Sequence, residues 1–391
     1  MTSTRPIILC FVAYYLPGYR SGGPVRTIAN FVEHLGGEFD IRIVTRDRDA
    51  LDTVPYPSVK VDEWNQVGAA RVFYASKKTL TLGGVAKLIR DTEHDVLYLN
   101  SFFAFEFTCL PLLARRLGMA PRTRCVIAPR GEFSQGAIAL KAVKKRMYMT
   151  GAKFLGLYSN LKWQASSELE ALNIQREWDV QRTQVFVASD LPSLPTTPDQ
   201  LPSERKSGPL RIIFLSRISP MKNLDFLLRV LSKAEFNVDL YIFGPKENAQ
   251  YWETCKHLID CFPVSIQVKL SGEIDHNEVA GELAKYDLFV LPTRGENFGH
   301  VIFEALSAAT PVLISDQTPW QQDGTSAVTV LPLDEDLWGA EIRRWANKSE
   351  LDLLDSRKKA FAYANAYVKN SPALTQNRLL FSGLAIGEED T

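Results

Sequence analysis

Short apolar strands that each run into a helix-forming segment recur twice along this chain, and that repetition restricts the fold more than any other feature. Ile7–Val12 reads as a buried strand, followed by a Gly22-Gly23-Pro24 loop and a helix from Val25 to Leu35. Ile41–Thr45, Asp95–Asn100 and Cys125–Ala128 continue the series. Alternating strands and helices predict a parallel sheet with helices on both faces. The stretch from Ser189 to Pro209 is rich in proline and lacks any period, as a linker or an extended surface loop would. A second alternation then begins. It has strands at Leu210–Leu215, Val238–Gly244, Val264–Leu270, Leu288–Leu291 and Pro311–Ile314, and a helix at Leu224–Leu231. With 391 residues the chain has room for two domains of ordinary size. The expected boundaries are residues 1–190, a linker at 191–209 and a second domain at 210–369.

The chemistry concentrates where the strands of the second half end. Leu288–Leu291 leads into Thr293-Arg294-Gly295-Glu296-Asn297-Phe298-Gly299-His300, and a helix-forming run through Glu304 follows. The backbone N–H groups of Phe298, Gly299 and His300 stand where a helix begins, a place suited to phosphate and sugar oxygens. Carboxylates beside an anion site make sense when the ligand also carries hydroxyl donors, as a ribose or hexose does. Two incidental glutamates at a helix start are the plain alternative. Arg217 and Lys222 follow the strand Leu210–Leu215. An arginine fork and a mobile ammonium there can clamp a diphosphate, or be two ordinary surface charges on a solvated loop. Neither half carries G-x-G-x-x-G or a Walker loop, which disfavours dinucleotide oxidoreductases and P-loop ATPases.

The Glu296–Glu304 segment resembles the E-x7-E signature of retaining glycosyltransferases of family 4. The likeness extends over nearly the whole chain and is most specific from Leu210 to Trp320. It implies the α/β GT-B fold, two Rossmann-like doubly wound domains facing a central cleft, the first on the acceptor side and the second binding the nucleotide sugar. It also implies a last helix, Leu374 to about Leu384 within residues 370–391, that crosses back onto the first domain. By the same resemblance Arg217, Lys222 and the loop N–H groups of Asn297, Phe298, Gly299 and His300 stabilise a departing nucleoside diphosphate. Glu296 then holds the donor sugar's hydroxyls and Glu304 the ribose. Gly22 and Gly23 would line the diphosphate, while Gly244, Gly272 and Ile274 would flank the base, although as turns they need no function. Many members have a histidine near Ala128–Ser134. This chain has Arg130-Gly131-Glu132 there, so Arg130 or Glu132 takes the sugar contact, or Arg130 is a structural ion-pair partner.

The implied activity is transfer of a sugar from UDP or GDP to a carbohydrate or lipid-linked acceptor, in bacterial surface polysaccharide or lipopolysaccharide assembly. A nucleotide-sugar epimerase or hydrolase on the same scaffold, or a non-catalytic nucleotide-sugar-binding module, is the alternative. No cofactor or metal is expected: the five histidines form no metal pattern, and Asp47-Arg48-Asp49 reads as a charged loop. The formal net charge is zero, against a general nucleic-acid binder. The five scattered cysteines, none in a C-x2-C pair, fit a reduced cytoplasmic compartment. The N-terminal apolar run could pass for a signal sequence but reads better as a first strand. The basic, partly apolar run Lys141–Tyr148 is either a solvated helix face or a peripheral contact with the inner membrane. The aromatic run Ser101–Phe107 is either core or the lining of an acceptor site.

Overall fold

The computed structural model describes residues 5–50, 52–139, 142–193, 208–322 and 324–382. Most of the expected linker therefore lies outside the described residues. The chain divides into two compact units, residues 1–191 with 372–391, and residues 192–371.

In unit 1 the strands are β1 (Ile7–Phe11), β2 (Asp40–Arg46), β3 (Trp64–Val67), β4 (Ala70–Ala75), β5 (Val96–Asn100), β6 (Arg124–Ala128), β7 (Lys162–Ala165) and β8 (Val185–Val187). Its helices are α1 (Gly23–Leu35), α2 (Leu82–Asp91), α3 (Leu110–Arg116), α4 (Gln135–Ala139), α5 (Ala142–Phe154) and α6 (Glu168–Trp178). The strands lie in the order β3-β4-β2-β1-β5-β6-β7-β8. All pair in parallel except β3, which forms an antiparallel edge with β4. β1 has no polar face because both of its faces are covered. Ile8 and Cys10 pack with Ile28 and Phe31 of α1, while Leu9 and Phe11 pack with Val85 and Ile89 of α2.

Unit 2 contains β9 (Leu210–Leu215), β10 (Val238–Phe243), β11 (Ile266–Gly272), β12 (Leu288–Leu291), β13 (Val312–Ser315) and β14 (Val328–Leu331). Between and after them run α7 (Leu224–Ser232), α8 (Ala249–Asp260), α9 (His276–Leu283), α10 (His300–Ser307), α11 (Glu335–Ala346) and α12 (Glu350–Asn370). The order β11-β10-β9-β12-β13-β14 is parallel throughout. Counted within the unit this is 3-2-1-4-5-6, the doubly wound nucleotide-binding arrangement. Successive connections leave in opposite directions after β9 and β12, so their following loops part and leave a crevice at the carboxyl ends of these two strands.

A last helix, α13 (Ala373–Ser382), follows unit 2 along the chain but packs into unit 1. Phe381 is buried, with its ring 5.0 Å from Phe31 and 4.8 Å from Tyr98. The crossover helix was expected to run to about Leu384; residues beyond Ser382 lie outside the described ones. No helix among the described residues is long and apolar enough to cross a membrane.

Candidate functional site

Two loops carry the site of unit 2, one after β9 and one after β12, on either side of the point where the strand order reverses. The first, Ser216–Asn223, is wound tightly: Lys222 and Asn223 N–H both donate to the Ser219 carbonyl, at 3.0 and 3.2 Å. Asn223 ends it in the left-handed region, φ +60°, which asparagine tolerates. The second loop is fastened to the first. The Met221 carbonyl accepts from Arg294 N–H at 2.8 Å and from the Thr293 hydroxyl at 3.2 Å, and Arg294 Nε donates to Asn223 Oδ1 at 3.1 Å. Ser315 Oγ, at the end of β13, donates to the Thr293 carbonyl at 2.6 Å. Glu296 N–H donates to the Gln317 carbonyl at 3.0 Å.

This bracing brings the Lys222 ammonium onto the Glu296 carboxylate as a direct ion pair, although 74 positions separate them. Their side chains are 13% and 11% exposed, so the pair is poorly screened by solvent. Arg217 pairs with Glu247 at 2.9 Å in a more open setting. Gly299, φ +78°, stands at the cap position just before α10, where a side chain would press a Cβ to within 2.7 Å of Ile302 Cδ1. No side chain caps this helix. Glu304 lies one turn further on, half-buried.

Aromatic packing sets the height of the loop. Phe298 is buried 5.4 Å from the Trp320 ring and 4.9 Å from the His300 ring, and Trp320 Nε1 donates to the Phe298 carbonyl at 2.5 Å. Asn297 Nδ2 is buried without a hydrogen-bond partner in the same loop. On the far side of β9, Gly244 N–H donates to the Gly272 carbonyl at 2.7 Å. Gly244 has φ +129°, and a Cβ there would meet the Ser216 carbonyl oxygen at 2.0 Å, so only glycine fits. Ile274 follows and packs against the unit's core. At the start of α7, burial raises the Asp225 pKa, but hydrogen bonds from Tyr251 and Arg229 outweigh it and hold the carboxyl below its ordinary range.

Thus Arg217, Lys222, Gly244, Gly272, Ile274, Glu296, Asn297, Phe298, Gly299, His300 and Glu304 all lie at or beyond the carboxyl ends of one sheet. Gly22, Gly23 and Arg130 belong to unit 1. Gly22 has φ +61° and caps α1 with open space around both glycines. The Arg130 side chain is only 10% exposed, and its guanidinium donates to Asn100 Oδ1 at 3.0 and 3.1 Å, to the Tyr98 hydroxyl and to the Asp190 carboxylate. Burial opposes its charge, yet Asp190, with Tyr98 and Glu170, keeps it firmly protonated. Of the two readings offered for Arg130, the structural ion pair is present with Asp190; the sugar contact stays a proposal. Glu132 is committed likewise, accepting from Ser101 Oγ and the Phe102 and Phe103 N–H groups. The aromatic run is core at Phe102, whose ring lies 4.3 Å from Tyr158 and 4.8 Å from both Phe133 and Trp178.

Sequence reasoning missed Trp320, Thr293, Ser315, Asn223 and Glu247, which position the loops or pair with their charges. Only Asn223, a turn-forming residue just before an apolar helix, left a local signal. Among the described residues no group of three or more His, Cys, Asp and Glu side chains is arranged to hold a metal.

Residues 197–324 match the family model described as glycosyl transferases, group 1. An uncharacterised glycosyltransferase of Methanocaldococcus jannaschii is 28% identical over 108 residues, 27% of this chain. The chain spans about a quarter of that curated relative, 26% of its length. Among solved structures, Anabaena HepE in complex with UDP and glucose aligns with a TM-score of 0.69 at 15% identity, over 97% of this chain and all of that one. WaaG, a glycosyltransferase involved in lipopolysaccharide biosynthesis, aligns with 0.64 at 14% over the same shares. Sucrose-phosphate synthase of Thermosynechococcus elongatus gives 0.65 at 16%, again over 97% and 100%. The fold is GT-B, and the group 1 match over the site's own residues supports a glycosyltransferase.

Proposed function

We propose that this chain is a retaining glycosyltransferase of family 4 that moves a sugar from a nucleoside diphosphate sugar to a carbohydrate or lipid-linked acceptor. The Lys222–Glu296 pair carries the reading: a shielded ammonium and carboxylate held together by two loops at the crevice of a nucleotide-binding sheet. The incoming diphosphate takes over Lys222 and draws charge from Arg217 and the N–H groups that begin α10. Glu296, released, accepts hydrogen bonds from the sugar hydroxyls, and Glu304 receives the ribose.

In the transfer step the bond from the anomeric carbon to the diphosphate oxygen breaks and the bond to the acceptor oxygen forms on the same face. The acceptor's proton passes to the departing phosphate. Donors fixed in advance where negative charge accumulates are often the largest single catalytic contribution. Because Lys222, Arg217 and the helix start supply that charge, turnover is expected to survive a chelator. The UDP bound in the HepE structure supports a uridine donor, with GDP the alternative. The WaaG likeness supports a role in lipopolysaccharide or related surface polysaccharide assembly.

A thermal-shift screen against UDP, GDP, ADP and their sugar conjugates without metal tests the donor site. A ligand at 100 times its Kd adds about 2.7 kcal/mol of stability. One base series should raise Tm; silence from every nucleotide would remove the donor site. Product analysis with and without acceptor separates transfer from epimerisation or hydrolysis, and binding with no turnover would leave a binding module.

A further inference from the structure

α5 presents outward a face that its own packing does not use. Its inward residues are Met149 and Ala152, both buried, with Lys145 donating from Nζ to the Ala137 carbonyl at 2.8 Å. At about 100° per residue, Val143, Met147 and Phe154 fall on the opposite side within roughly 40° of arc. They are 74%, 71% and 90% exposed. Large apolar side chains scattered singly need no explanation, but three in register along one helix do.

Charge decides what covers them. Lys144 flanks the stripe on one side and Arg146 and Lys153 on the other. From Phe133 to Ser167 the sequence has six Lys and Arg and no Asp or Glu, in a chain whose net charge is zero. One of the six, Lys141, lies outside the described residues. An isologous contact with a second copy would set these cations against their own equivalents with no carboxylate between them. A stripe one helix wide also falls well short of an ordinary protein interface, about 800 Å² per partner. A bilayer meets both features: apolar side chains enter the interfacial region while lysines and arginines lie level with anionic headgroups.

We propose that α5 is a docking face for an anionic lipid surface, with Val143, Met147 and Phe154 inserted and Lys144, Arg146 and Lys153 at the phosphates. This inference stands on unit 1 alone and does not depend on the transfer reaction. The test is flotation of the full chain with vesicles of phosphatidylcholine alone or mixed with phosphatidylglycerol. The wild-type chain should float with the mixed vesicles only and be released by high salt, which screens the headgroups. Phe154→Glu, and separately Lys144→Gln with Arg146→Gln, should each lower partitioning about tenfold or more. Both changes fall on solvated positions, and unchanged circular dichroism would certify the fold. Absence of wild-type binding, or binding that neither variant weakens, would overturn the proposal. So would a wild-type oligomer that Phe154→Glu turns into a monomer, since the stripe would then join copies of the chain.

Discussion

At the scale of single residues, Lys222 and Glu296 neutralise each other until a ligand arrives, and the two should respond differently to substitution. Glu296→Gln removes the carboxylate that competes for the ammonium. Nucleoside diphosphate affinity is therefore expected to hold or rise while turnover falls by on the order of 10²-fold. Lys222→Ala should lose both. Steady-state kinetics beside nucleotide-induced Tm shifts distinguish these outcomes, and equal losses of affinity in the two variants would refute the exchange of partners. Both residues are legible in the sequence, Lys222 from its place after a strand and Glu296 from its spacing to Glu304. Their pairing is not, because it arises only when β9 and β12 become neighbours in the sheet. Arg130 shows the converse limit. A conspicuous arginine after β6 suits a ligand contact by type, and only its three-dimensional partners, Asp190 among them, reveal an internal tie.

At the scale of elements, the loop after β12 is held at a fixed height by Trp320 rather than by its own glycines. Trp320→Phe keeps an aromatic ring beside Phe298 but leaves the Phe298 carbonyl without its buried donor. An unsatisfied buried group costs about 1–3 kcal/mol, and here the penalty falls on the loop itself. The variant is expected to lose part of any nucleotide-induced stabilisation, measured by calorimetric titration; affinity equal to the wild type would show that the loop is braced elsewhere. Strands β9 and β12 fall where the apolar runs predict, since each is buried on both faces. β3, β4, β7, β8 and β14 escaped the sequence reading. Apart from β4 they have only three or four residues, too few to show a period, so their identity as strands comes from the neighbours they pair with. β4 is a six-residue, mostly apolar run that the sequence reading passed over. Trp320 escaped for a related reason: its contacts, with Phe298, Phe303, Tyr363 and Tyr367, all lie far away in sequence, beyond any local period.

For the molecule as a whole, α13 closes the core of unit 1 with side chains contributed from beyond unit 2. Phe381→Ala would empty the space among Phe31, Phe39 and Tyr98 and cost about 3–5 kcal/mol. Chemical denaturation followed by the near-ultraviolet signal should show unit 1 yielding earlier; an unchanged midpoint would mean that α13 merely rests on the surface. The same return has a consequence during synthesis. Domains ordinarily mature in the order in which the ribosome delivers them. Residues 192–371 form an uninterrupted stretch and have everything their sheet requires once Ser371 has emerged. The first half is translated earlier, but Phe31 and Tyr98 have no cover until Phe381 is made. In this protein the domain born first is therefore the one completed last.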